Sequence, residues 1–375
     1  MDLHTLGIMT EHQKKPALYH LAVLLESCKI LLFVYCFLLS IDLMGIAFES
    51  FGSGFTHFFE RATSNPFAGL VIGIVVTSIV QSSSMTTSIV VAMAGAGTLS
   101  LEHAIPIIMG ANIGTTVTNT IVSFAYVGRK LEFEPCFGAS IVHDIFNVYS
   151  VILFFPLQLA TGFLQKSAEF TTEIFRGVGG FTFSSPLKYI LRPVSFFIAG
   201  LVSNKIVLLI LALLFLFFSL SLIVKSMRSM IMRKVEVMLN KYLFRNIFIS
   251  FLFGLALTAT IQSSSITTSI MVPLVAAGML TIEQIFPYTL GANLGTTVTA
   301  ILAALALGGE LPMTVAFTHM LFNFFGICVF LPLRRFPIWT AKTIAHYTAK
   351  SKRNFFFFLA VYISLHILII LFIFF

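Results

Sequence analysis

The chain contains its own near-copy. Val80-Gln-Ser-Ser-Ser-Met-Thr-Thr-Ser-Ile89 recurs as Ile261-Gln-Ser-Ser-Ser-Ile-Thr-Thr-Ser-Ile270. Gly110-Ala-Asn-Ile-Gly-Thr-Thr-Val-Thr118 recurs as Gly291-Ala-Asn-Leu-Gly-Thr-Thr-Val-Thr299. The offset of 181 holds without a gap, with 22 identities in the 38 positions from Gln81 to Thr118. After a short indel the copies continue, His143-Asp-Ile-Phe-Asn147 against His319-Met-Leu-Phe-Asn323, then Pro156-Leu157 against Pro332-Leu333. The matched residues are mostly polar or Gly, set in apolar surroundings. Phe67–Val127 and Ile247–Leu307 each run about sixty largely uncharged residues broken by small polar residues, Gly and Pro. Neither block can be one helix.

Composition decides the solvent. Of 375 residues, 58% are hydrophobic and only 10% charged. A water-facing globular surface needs about 25%, so two or three soluble domains are excluded. A membrane barrel would need alternating segments of roughly ten residues. The expectation is an all-α polytopic membrane protein with two inverted-topology repeats, each carrying a broken-helix hairpin at its Gln-Ser-Ser-Ser motif. Cys28, Cys36, Cys136 and Cys328 lie in apolar stretches with no CxxC pair and read as small buried apolar residues. Glu26 and Lys29 precede the first apolar run and no small-residue cleavage site follows, which argues against a cleaved signal peptide.

Five stretches have the roughly 20 residues that cross a bilayer: Ile30–Phe48, Pro135–Leu157, Ile206–Val224, Leu311–Leu333 and Phe355–Phe375. The net charge of +8 comes with no basic run interleaved with stacking aromatics, so nucleic acid is not the expected partner. Basic cytoplasmic loops account for it instead. With a cytoplasmic N-terminus and an odd number of crossings per block, 17 of the 23 Lys and Arg fall inside and six outside, as the positive-inside rule requires. Block one then enters from outside and block two from inside, so the copies are inverted. The implied division is 1–66 (N-terminal segment and first span), 67–157 (repeat 1), 158–246 (external loop, linking span, basic loop), 247–333 (repeat 2) and 334–375 (cytoplasmic loop and last span).

Inverted repeats with interrupted apolar segments point to a binding site near the bilayer midplane, because free backbone groups at that depth need protein or a water-filled cavity around them. Half-helices starting at the motifs would aim bare N–H groups at an anion. The candidate anion ligands are Gln81, Ser82, Ser83, Ser84 and Asn112, with Gln262, Ser263, Ser264, Ser265 and Asn293 in the second copy. Hydroxyl, amide and carboxylate oxygens suit sodium: Ser83, Thr86, Thr87, Ser88, Thr115, Thr116, Asp144 and Asn147, then Ser264, Thr267, Thr268, Ser269, Thr296, Thr297 and Asn323. Residues 62–101 and 246–282 carry no charge, so neutral donors and co-bound cations would hold the anion. Asp144 is an ionisable group inside an apolar span, functional by default, and its counterpart is Met320. His143 and His319 sit four residues before Asn147 and Asn323, which favours structural hydrogen bonds over proton chemistry. Glu102 and Glu283 correspond and fit caps near helix starts. Gly69/Gly73 fits helix packing, but packing alone would require neither the Asn nor the paired threonines of the Gly-Ala-Asn-Xaa-Gly-Thr-Thr segments. A serine hydrolase would need an elbow of the Gly-x-Ser-x-Gly kind, which is absent.

The paired Gln-Ser-Ser-Ser motifs at 81–84 and 262–265, the segments at 110–116 and 291–297, and Val142-His-Asp-Ile-Phe-Asn147 resemble the type II sodium-dependent phosphate cotransporter family (solute carrier family 34 and its bacterial relatives). The resemblance covers roughly 67–157 and 248–333. It implies sodium-driven symport of inorganic phosphate, with both motif hairpins forming the substrate and ion site and no organic cofactor. It also implies that an Asp at position 144 marks electrogenic members, and that the repeat core moves in an elevator-like way. The short termini suggest a bacterial relative in the inner membrane, with small ions and lipid as partners and a homodimer allowed. Another small oxyanion, or a channel, is the alternative.

Overall fold

A computed structural model describes residues 16–178, 186–239 and 246–366, and the regular structure within them is helical. The first apolar run forms α1 (Pro16–Phe51), followed by the short amphipathic α2 (Ser53–Thr63). The first repeat comprises α3 (Pro66–Val80), α4 (Ser83–Gly95), α5 (Leu101–Gly114), α6 (Val117–Ser123) and α7 (Lys130–Thr161). After α8 (Phe163–Val178), α9 (Pro186–Leu201) and α10 (Lys205–Leu239) comes the second: α11 (Ile247–Ile261), α12 (Ser264–Ser269), α13 (Met271–Ala276), α14 (Ile282–Gly295), α15 (Thr297–Leu307) and α16 (Glu310–Phe330). α17 (Arg335–Ala349) and α18 (Lys352–His366) close the described chain.

Six stretches among the described residues are long and apolar enough to cross a membrane. Leu24–Phe51, Leu131–Thr161, Lys205–Met227 and Glu310–Phe330 contain or largely overlap four of the five expected spans. Leu101–Tyr126 and Ile282–Leu307 come one from each repeated block. Of the fifth expected span, Phe355–Phe375, only the part within α18 lies among the described residues. α3 and α4 are 15 and 13 residues long, about 22 and 20 Å at 1.5 Å per residue, too short for a hydrocarbon core of roughly 30 Å. Each block thus supplies one broken pair and one full-length span. The protein is a multi-pass helical membrane protein.

The stretch expected as an external loop is largely helical. α8 and α9 are amphipathic and 16 residues long each, about 24 Å at 1.5 Å per residue, too short to read as spans. α8 buries Leu164, Ala168 and Thr172, packs on α16, and joins it through a Thr172–Thr314 hydroxyl contact of 2.9 Å. α9 lies against α1. The expected cytoplasmic loop after 334 likewise contains α17, which buries Ile338, Ala341 and Ala345 and packs against α7. Glu102 and Glu283 fall in the first turns of α5 and α14, where the helix dipole favours them. The cap hydrogen bonds themselves come from Ser100 and Thr281. Of the cysteines expected to be buried, Cys136 is buried, Cys36 half-buried, and Cys28 and Cys328 exposed on apolar helix surfaces.

The two repeats use the same local chemistry. Asn65 and Asn246 cap α3 and α11, each side chain accepting from the N–H two residues on. α3 packs along α5 and α11 along α14 at backbone contact. A Cβ at Gly110 would sit 1.9 Å from the Leu70 carbonyl oxygen, and one at Gly291 would sit 1.9 Å from that of Phe251. No rotamer relieves a clash with backbone. The glycines of the repeated segment therefore set the helix crossing, which leaves its Asn and Thr residues for other roles. Gly110→Ala and Gly291→Ala should each cost about 1–3 kcal/mol or more and lower the unfolding midpoint in detergent. Gly128→Ala, which meets open space, should leave it unchanged. Equal midpoints for all three would refute the backbone-contact packing.

Candidate oxyanion and cation site

Each broken helix ends on a glutamine in the left-handed region, Gln81 at φ 59° and Gln262 at φ 63°, the two non-glycine residues with positive φ among those described. An L-residue there costs roughly 1–2 kcal/mol, so the side chain has to offset the strain. Gln81 donates from Nε2 to the Ser78 carbonyl, one of the orphan acceptors at the end of α3, and accepts at Oε1 from Thr118 at 2.6 Å. Gln262 repeats this with the Ala259 carbonyl and Thr299 at 2.5 Å. Glycine would take the turn without strain but has no amide to tie helix end to neighbouring helix. Each Nε2 keeps a second N–H.

The next residue starts the following half-helix. Ser82 and Ser263 are N-caps whose Oγ accepts from Met85 N at 3.2 Å and Ile266 N at 3.4 Å. Their hydroxyl protons remain available for a ligand. The N–H groups in the first turns of α4 and α12 have no helical carbonyl to bond. Gln81, Ser82, Gln262, Ser263 and Ser265 line one cavity of about 440 Å³, whose other wall comes from α10.

The copies also touch directly. Ser84 Oγ lies 3.4 Å from the Gln262 carbonyl oxygen and 3.3 Å from Thr299 Oγ1. Asn119 and Thr268 exchange side-chain bonds at 2.9 and 3.1 Å. Ser265 Oγ is 3.5 Å from the Thr115 carbonyl oxygen. Thr86 and Thr267 brace the hairpins through Thr77 at 2.9 Å and Thr258 at 2.7 Å. Ser83 and Ser264 are buried, their carbonyls accepting from Thr87 at 2.8 Å and Thr268 at 2.7 Å. Ser269, Thr296 and Thr297 bond carbonyls within their own helical turns. Ser88 and Thr115 are different, because their hydroxyl oxygens are buried without a hydrogen-bond partner.

Asp144 does not line this cavity. It is buried on α7, accepts from Thr116 at 2.8 Å, and lies 3.8 Å from His366 Nε2 of α18. A second, largely apolar cavity of about 690 Å³ borders it, with Tyr362 and His366 on the wall. The expected ligands thus fall into two neighbourhoods, joined through Ser265, Thr115 and Thr116. The four asparagines form part of a separate buried network. Asn293 donates to Asn147 at 2.9 Å and Asn323 at 2.6 Å, Asn147 donates to the Asn112 carbonyl, and Asn112 donates to the Ile108 carbonyl. An anion at Asn293 would have to displace both acceptors. His143 bonds Asn293 at 2.9 Å, across the repeats rather than along its own helix, while both ring nitrogens of His319 are buried without partners. No group of three or more His, Cys, Asp and Glu suited to a metal ion occurs among the described residues.

Sequence reasoning missed Thr118, Thr299 and Asn119. The two threonines end the repeated Gly-Ala-Asn motif, so their signal was present. Asn119 corresponds to Ala300, so the duplication did not single it out.

The Na+/Pi-cotransporter family model matches residues 36–184 and 214–336. The chain belongs to the Na+/Pi-cotransporter family. Human sodium-dependent phosphate transport protein 2B is 32% identical to it over 89% of the chain and 63% of that relative. Rat sodium-dependent phosphate transport protein 2A is 33% identical over 85% of the chain and 63% of that relative. The chain thus spans less than two thirds of these relatives' length. No solved structure matches it. In this Na+/Pi-cotransporter family member, Thr118→Val and Thr299→Val should each destabilise by about 1–2 kcal/mol, since each strands a glutamine acceptor, while the serine variants should stay near wild type. Thermal unfolding in detergent measures this, and unaltered valine variants would exclude the glutamine–threonine ties.

Proposed function

We propose that this protein is a sodium-coupled symporter that imports inorganic phosphate across the cell membrane, with the oxyanion held between the two Gln-Ser-Ser-Ser turns. The observation that carries this reading is the shared cavity, walled by both turns and lined by serines and glutamines of each, Gln81, Ser82, Gln262, Ser263 and Ser265. The sodium-dependent phosphate transport of the relatives' names supports the substrate pair. A neutral donor set holds an anion without trapping it, as a carrier that releases its cargo requires.

Sodium is assigned to oxygen-rich positions beside the cavity. Asp144 with Thr116 is the charged cation site, and the unpartnered hydroxyls of Ser88 and Thr115 are available to further ions. A cation at Asp144 would bias Thr116 and, through the adjoining Thr115 carbonyl, Ser265 on the anion cavity. That chain gives coupling a physical route. The two repeats, 67–157 and 247–333, are assigned inverted orientations with a cytoplasmic N-terminus, a reading supported by the distribution of Lys and Arg. Alternating access then follows from moving the repeat core against the helices outside it, chiefly α1 and α10, which pack together. Each net positive charge carried inward gains about 2.3 kcal/mol per 100 mV.

Phosphate uptake into proteoliposomes should collapse when sodium is replaced by potassium or choline, and sodium-independent uptake would reject the symporter. Asp144→Asn and Asp144→Gly should reduce or abolish the current that accompanies transport while phosphate binding persists. An undiminished current would remove Asp144 from the cation pathway.

A further inference from the structure

The wall of the cavity opposite the serine turns comes from α10, a helix outside both repeats. Among the residues lining the cavity one is charged, Lys225, one turn after Ser221. It is exposed and has no ion-pair partner among the described residues. Lys29, Arg129, Arg176 and Lys342 each pair with a carboxylate; what sets Lys225 apart from other unpaired basic residues is its place on the cavity wall. Lys225 also stands at the end of a span: the apolar part of α10 runs from Lys205 to Met227. The positive-inside assignment places that end on the cytoplasmic face.

An unpaired ammonium on the rim of an otherwise neutral cavity creates a local positive potential, with low-dielectric walls to focus it. The ion that responds most strongly is a small multiply charged anion. We infer that Lys225 is an oxyanion-recruiting residue at the cytoplasmic mouth of the cavity, raising the local concentration of phosphate and drawing it between the neutral turns and the cytoplasm. This deepens the phosphate reading of the same cavity and rests on it. Lys225 is a positioning residue for the anion and not a member of the neutral cage. Because α10 belongs to the packing partner of α1 and not to the repeats, the lysine would sense the anion only while the cavity faces its own side.

The test compares phosphate KM on the two membrane faces, in inside-out and right-side-out vesicles at fixed sodium, with ionic strength set by choline chloride. At low ionic strength, Lys225→Gln should raise KM on the cytoplasmic face about three- to tenfold, and Lys225→Glu should raise it further. Lys225→Arg should restore it. KM on the outer face and the maximal rate should stay near wild type. The difference should shrink as added salt shortens the Debye length from about 10 Å at 0.1 M toward 3 Å at 1 M. A KM unchanged on both faces, or a fall in maximal rate at constant KM, overturns the inference. Wild-type vesicles lacking sodium-dependent phosphate transport would instead refute the site reading itself.

Discussion

Backbone hydrogen bonding at membrane depth governs this structure. A helix that stops inside hydrocarbon leaves carbonyls at one end and N–H groups at the next start, each costing several kcal/mol if unpaired. Here the break is stabilised by one residue type used twice. Gln81 and Gln262 take the left-handed turn, return an amide proton to the helix they end, and offer an oxygen to a threonine on the adjoining helix. Serine follows because the next residue must cap a helix start. After these contacts, Gln81, Ser82, Gln262, Ser263 and Ser265 still line a common cavity. In the transport reading, the binding surface is what is left over once the break has been made tolerable.

That economy depends on how closely helices approach. Gly110 and Gly291 let α5 and α14 reach the backbones of α3 and α11, which brings Thr118 and Thr299 within reach of the glutamines. The contact from Ser265 to the Thr115 carbonyl has a further consequence. Thr115 and Thr116 occupy successive positions after α5, and Thr116 bonds Asp144. Two neighbourhoods that share no cavity wall are therefore linked by a single planar peptide unit and the Thr116 side chain. In the transport reading, a cation at Asp144 need not touch the anion to influence it.

Much of this was legible in the sequence because duplication separates roles. Residues identical at an offset of 181 within apolar filler had to satisfy a shared local geometry, and the helix breaks fell where the repeated polar motifs placed them. The periodicity of 158–205 was harder to read. α8 and α9 are amphipathic and each 16 residues long, too short to announce themselves as spans. Asp144 was conspicuous as a lone carboxylate in an apolar span, but its neighbours Tyr362 and His366 come from α18, more than two hundred residues later. No local pattern announces such contacts. Lys225 was hidden for another reason: it begins a basic run, and such runs are ordinarily solvated and serve topology.

The departures from symmetry carry their own meaning. Two equal halves facing each other would make two equal sites, with nothing to distinguish one cation position from its counterpart. This chain breaks the equality at several points within the same buried region. Asp144 opposes Met320 and Asn119 opposes Ala300. His143 is bonded to Asn293, whereas His319 has no partner for either ring nitrogen. A buried polar group without a partner carries a desolvation penalty of about 1–3 kcal/mol, so at this pair of positions the second half is less satisfied than the first, while at Ser88 and Thr115 the first half holds the unpartnered hydroxyls.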